Sequence, residues 1–113
     1  ENVVWYCISE LMPRHSTLEI EVQLTKCLDE GAYGFCVLGN NDREFTIEVD
    51  KRIPKFKNGN PNLSGLNRFI QTICHEMVHV KQLETGEWEG DGEKEAEMFQ
   101  YILADQIWRK VKL

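Results

Sequence analysis

Leu18, Ile20, Val22 and Leu24 alternate with Glu19, Glu21 and Gln23. Successive side chains of an extended backbone point to opposite faces, so this period of two predicts a half-buried strand whose outer face is strongly acidic. A second apolar run, Tyr33 to Leu38, is punctuated by Gly31, Gly34 and Gly39 and followed by Asn40-Asn41-Asp42, residues that tolerate tight turns. From Arg43 to Asp50 the alternation returns, with Phe45, Ile47 and Val49 on one face and Glu44, Thr46 and Glu48 on the other. The second and third runs therefore predict a hairpin.

Beyond Asp50 the rhythm changes. The segment Pro54 to Ser64 holds two prolines, Gly59 and several turn-forming residues and is expected to be a loop. From about Gly65 to Glu84, Leu66, Phe69, Ile70, Ile73, Met77 and Val80 recur with helical period, and Gly86 supplies a stop. A short acidic loop from Gly86 to Gly92 leads to a last helix, about Glu93 to Lys112, with Ala96, Phe99, Ile102, Leu103 and Ile107 on its apolar stripe. Glu93 and Glu95 at its start and Lys110 and Lys112 at its end complement the helix dipole. Val3 to Met12 fits either a strand or a helix, and Pro13 ends it in both cases. Strands first and helices after predict an α+β fold: a small, mostly antiparallel sheet packed on a central helix and a C-terminal helix.

A chain of 113 residues suits one domain, 1–113, with its own core. Hydrophobic residues make up 42% and charged residues 28%, an ordinary globular balance, and no apolar run is long enough to span a bilayer. The formal net charge of -6 disfavours a nonspecific grip on nucleic acid by this domain alone. Lys51, Arg52, Lys55 and Lys57 form the one basic group, expected as a solvated loop. The four cysteines make no C-x-x-C pair, and Cys36 and Cys74 lie in apolar patterns where free thiols act as small buried hydrophobes. A reducing, cytoplasmic compartment is expected. The sequence opens on Glu1 and not on Met, so an upstream targeting segment stays open.

The chemistry concentrates in His75-Glu76-Met77-Val78-His79. Histidines four apart on a helix lie one turn apart on one side and can grip a single tetrahedral ion, opposite the stripe that carries Ile70, Ile73 and Met77. Glu76 beside them is placed to take a proton from water activated by such an ion. By composition alone this H-E-x-x-H pattern arises in roughly one such chain in a hundred. A catalytic zinc wants a third protein ligand, and the only other histidine, His15, lies far upstream. A carboxylate at the start of the last helix is the better candidate: Glu95 first, which shares a stripe with Phe99 and Ile102, then Glu97 or Glu93. Tyr101, Arg68, Tyr33 and His15 are candidate oxyanion donors. If the Arg43–Asp50 strand lies at the sheet edge above the cleft, an extended peptide can add to it through main-chain hydrogen bonds.

The stretch Thr72-Ile73-Cys74-His75-Glu76-Met77-Val78-His79-Val80-Lys81-Gln82 resembles the active-site helix of zincin metallopeptidases. With strands before it and Glu95-Ala96 opening the next helix, the order is similar to the small gluzincin-type and ImmA/IrrE-like peptidases, whose third zinc ligand is a glutamate of the following helix. That resemblance implies Glu95 as the ligand. Gly31-Ala32-Tyr33-Gly34 through Ile47-Glu48-Val49 also resembles the SprT-like domain, a small zincin associated with cleaving DNA-bound proteins, whose third ligand is typically a later histidine; none follows His79 here. The implied protein is a zinc-dependent peptidase of zincin-like fold, with His75, His79 and Glu95 on Zn2+, Glu76 as general base and a peptide or protein as substrate. The alternatives are a noncatalytic zincin-fold peptide-binding module and a SprT-like DNA-associated protease.

Overall fold

Residues 2–11, which pattern alone left between strand and helix, form helix α1 (Asn2–Leu11). Val4, Cys7 and Ile8 are buried while Trp5 stays 55% exposed, a spacing that only a helix can turn to one side. The computed structural model describes residues 2–11, 18–25, 33–39, 44–50, 56–57, 60–61, 63–86 and 90–111. Strands β1 (Glu19–Thr25), β2 (Gly34–Leu38) and β3 (Glu44–Asp50) make the main sheet. The short strands β4 (Phe56–Lys57) and β5 (Asn60–Pro61) pair inside the segment expected as loop, and helices α2 (Leu63–Thr85) and α3 (Glu93–Val111) follow. The fold is α+β, as the order of patterns predicts.

The sheet order is β1-β3-β2. β2 and β3 form the expected hairpin, antiparallel from Gly34↔Val49 to Leu38↔Phe45, with Gly39 N–H donating to the Glu44 carbonyl at 2.7 Å. β1 lies parallel to β3, Glu19↔Glu44 through Thr25↔Asp50. The sheet is therefore mixed rather than mostly antiparallel, and β3 is its centre, so the condition for adding a peptide to it, an edge position, is not met. Burial explains the order: Phe45, Ile47, Val49 and Asp50 of β3 are all buried, whereas the flanking strands leave Leu24, Val37 and Leu38 exposed. The strand with the most apolar surface to hide takes the position covered on both sides.

α2 contacts α1, α3, β2 and β3. Its expected stripe is inside, with Ile70, Ile73, Met77 and Val80 buried and Leu66 and Phe69 packed against the core. Cys74 and Val78 are also fully buried, because α1 and α3 cover the flanks that a surface helix would show to water. Fully burying such side chains contributes about 1.5–3 kcal/mol each. Cys7 and Cys74 meet across the α1–α2 contact as free thiols, sulfur to sulfur 3.7 Å. On α3 the buried positions are Ala96, Gln100, Leu103, Ala104 and Ile107. Ile102, expected on that stripe, is 43% exposed instead, one position off the face that α2 receives.

One glycine sets the approach of the edge strand. A Cβ at Gly34 would stand 2.6 Å from the Glu48 carbonyl oxygen and 2.8 Å from Thr72 Cγ2, so β2 reaches α2 this closely only without a side chain there. No helix among the described residues is long and apolar enough to cross a membrane.

Candidate metal centre

α2 is buried on most sides, and where the cover opens it presents His75 and His79, ring centroids 5.0 Å apart and side chains 17% exposed. Each ring is held by a glutamine from beneath. His75 Nδ1 lies 2.6 Å from Gln100 Oε1 and His79 Nδ1 lies 2.8 Å from Gln82 Oε1. The Gln82 orientation is fixed independently, since its amide nitrogen donates to the Gly92 carbonyl at 2.9 Å and to Glu95 Oε1 at 2.8 Å. An amide oxygen can only accept, so each Nδ1 carries the hydrogen, and the neutral ring then offers its lone pair at Nε2.

Both Nε2 atoms face one carboxylate. Glu93 Oε1 is 3.1 Å from His75 Nε2, and Glu93 Oε2 is 2.8 Å from His79 Nε2. One ligand atom from each of the three residues lies within 4.8 Å of the others. Lone pairs thus converge on lone pairs, which repel unless a proton or a cation sits among them. Two imidazoles and a carboxylate with their outer nitrogens hydrogen-bonded are a donor set suited to one zinc-sized divalent ion.

Glu95, the expected third ligand, is not in this cluster: the structure places Glu93 there. Glu95 Oε2 receives Lys81 Nζ at 3.0 Å and its other oxygen receives the Gln82 amide, so it touches the histidines only through Gln82. Helical geometry gives the reason. At about 100° per residue, Glu93, Glu97 and Gln100 share the side of α3 turned to the histidines, and Glu95 lies about 200° from Glu93. The Gln82 hydrogen bond, seconded by Lys81, holds the Glu95 carboxyl below its ordinary pKa, with partial burial working the other way. Glu97 lines the cleft but remains outside the cluster.

The start of α3 is built to bring Glu93 in. Gly90 and Gly92 have φ of 59° and 79°, backbone that favours glycine. Asp91 Oδ1 accepts from the Glu93 N–H at 3.0 Å, and the Gly92 carbonyl takes both the first helical bond from Ala96, at 3.1 Å, and the Gln82 amide. A Cβ on Gly92 would collide with the Gln82 side chain. Gly92→Ala is therefore expected to destabilise the fold by about 2 kcal/mol, from the left-handed backbone and the displaced glutamine, measured by denaturant unfolding.

Glu76 is buried beside the cluster and lines the same cleft. Burial raises its pKa, the two imidazoles pull the other way, and the Glu93 charge adds to the rise. Across the cleft on β2, burial and then the Glu76 charge push the Cys36 thiol up to about 12, so it stays protonated near neutral pH. The cleft, of about 810 Å³, has α2 as its floor, the outer edge of β2 on one side and α3 on the other. Tyr33, Arg68 and Tyr101, three of the expected oxyanion donors, line it; His15 lies outside the described residues, as do Lys51, Arg52 and Lys55.

Sequence reasoning overlooked Gln82 and Gln100. Their signal is spacing: Gln82 follows His79 by three positions on one helix, and Gln100 follows Glu93 by seven on the next, nearly eclipsed along the axis. Comparison of the chain with protein-family models, with curated proteins and with solved structures finds no match.

Proposed function

We propose that the chain is a zinc-dependent peptide hydrolase in which His75, His79 and Glu93 hold the ion and Glu76 is the general base. The observation that carries this reading is the convergence of His75 Nε2, His79 Nε2 and the Glu93 carboxylate in an open cleft, next to a buried glutamate outside that set. When bound, zinc supplies Lewis acidity to a water molecule and to a substrate carbonyl oxygen.

The remaining work belongs to the chain. Gln82 and Gln100 fix the tautomer and orientation of the two rings, so both lone pairs stay aimed at one point. Glu76 accepts the proton of the attacking water and returns it to the leaving amine; its burial keeps the carboxylate more basic than a solvated one. The outer edge of β2, unpaired among the described strands, offers main-chain donors and acceptors along the cleft to an extended peptide, a part the Arg43–Asp50 strand could take only at the sheet edge. Tyr33 and Tyr101, both about half exposed, stand at the rim as hydroxyl donors.

The purified protein is expected to bind one equivalent of zinc and to cut members of a broad peptide library. A chelator should abolish cleavage and added zinc should restore it. A protein that takes up no zinc by calorimetry and elemental analysis, or cleaves equally well in chelator, does not act this way.

A further inference from the structure

The charges around the cleft are separated. The carboxylates Asp91, Glu93 and Glu97 gather at the start of α3, and the one Lys or Arg among the described lining residues, Arg68, lies at the other end. Arg68 precedes His75 by seven positions on α2, two turns or about 10 Å along the axis. Its guanidinium carbon sits 4.9 Å from the centre of the Tyr33 ring, just ahead of edge strand β2. Among the described residues no carboxylate pairs with it, although the chain carries a net charge of -6.

A guanidinium laid over an aromatic ring spends its face on the ring and keeps its in-plane N–H groups for a planar acceptor. The Tyr33 ring also restrains a long side chain, so less freedom is lost when an anion docks. We infer that Arg68, restrained by Tyr33, is a subsite for a substrate carboxylate, supplied by an Asp or Glu side chain or by a peptide C-terminus. This deepens the hydrolase reading and rests on it. An extended peptide advances about 3.3 Å per residue, so 10 Å places the carboxylate about three residues from the bond that is cut. The acidic far end of the cleft repels a second one, and the preference is one-sided.

Two arms test this with the zinc-loaded full chain. In the first, cut sites in an end-blocked peptide library are mapped by mass spectrometry. Wild type is expected to enrich Asp and Glu about fivefold at one position, about three residues from the cut on a single side, the gain typical of a solvent-accessible ion pair. Arg68→Gln should bring that enrichment to one, and Arg68→Glu should replace it with Lys and Arg. Arg109→Gln, which removes an exposed cation on the far part of α3, should keep the wild-type pattern. In the second arm, Glu76→Gln protein is titrated with fluorescent Ala–Gly decapeptides that carry one Glu or one Gln, with free or amidated C-termini. The charged peptides should bind about fivefold tighter, and Arg68→Glu in the same background should reverse the order. Preference for the free terminus alone assigns the C-terminal carboxylate; preference for internal Glu assigns the side chain. Charge-dependent binding without any cleavage keeps the subsite and rejects the hydrolase. Cleavage with neither Asp/Glu enrichment in the library nor tighter binding of the Glu-bearing or free-ended peptides, or with a preference that survives Arg68→Glu, rejects the subsite and keeps the hydrolase. Neither cleavage nor charge-dependent binding rejects both.

Discussion

Glu76→Gln is expected to keep its full complement of zinc while kcat/KM for peptide cleavage falls by about a thousandfold. Glutamine matches glutamate in shape and stays in the same buried position, so the fold and the His75, His79 and Glu93 cluster are undisturbed. What is lost is a base able to take a proton, a contribution of about 10²–10⁴ in rate. The same substitution should stabilise the metal-free protein. Burial is the leading influence on Glu76 and raises its pKa, which means the folded state disfavours the ionised form near neutral pH, and a neutral amide removes that cost. Parallel measurements of zinc content, cleavage and denaturant midpoint separate the roles: a variant that cleaves at the wild-type rate leaves Glu76 with no part in the chemistry. A variant that loses both zinc and cleavage makes it a ligand instead.

The helix that carries the candidate site was legible because its signals are local. His75, Glu76 and His79 sit at a spacing that has meaning only on a helix, and the apolar period of 3.6 around them supplied that helix independently. The two faces of β3 were legible for the same reason, since alternation is a property of neighbouring residues. The neighbours of β3 were not. Which strand lies beside it depends on burial summed over the whole sheet, and the parallel pairing of β1 with β3 joins residues about as far apart as Glu19 and Glu44. Alternation in β1 is equally compatible with either direction of pairing.

The third member of the cluster was missed by two positions for an equally physical reason. Placing Glu95 inward assumed that α3 turns its most apolar line, through Phe99 and Ile102, toward its partner. The buried line runs through Ala96, Gln100, Leu103 and Ile107, and its one polar member is the residue that holds His75. Polarity that serves a site looks, in a sequence, like polarity that faces water. The rotation of α3 about its axis is set by the turn before it, where Gly90 and Gly92 adopt left-handed backbone and Asp91 caps Glu93. In the sequence, Gly92 marks only the end of a short acidic loop.

Glu93 and Glu95 therefore separate in a direct experiment. Glu93→Ala removes a carboxylate that faces both imidazoles and is expected to weaken zinc binding by well over a hundredfold, measured by competition with a chelator of known affinity. Glu95→Ala leaves the three facing groups in place and frees the Gln82 amide and the Lys81 ammonium, so its effect should be that of an outer partner, about tenfold in affinity. Glu95 should show itself in stability instead. Its folded-state carboxyl is held below the ordinary value, so its contribution is complete above the unfolded-state pKa of about 4 and fades only as pH falls through the lower folded-state value. Glu95→Ala and wild type should accordingly differ in denaturant midpoint at neutral pH and converge in acid, whereas Glu93→Ala should lose zinc at neutral pH with its fold intact. The reverse pattern, zinc lost with Glu95 and kept without Glu93, would mean that α3 turns by more than a quarter of its circumference when the ion binds. The cap of Asp91 on Glu93 and the contact of Gly92 with Gln82 both stand against such a turn, because each ties the start of α3 to the histidine helix or to its own first turn.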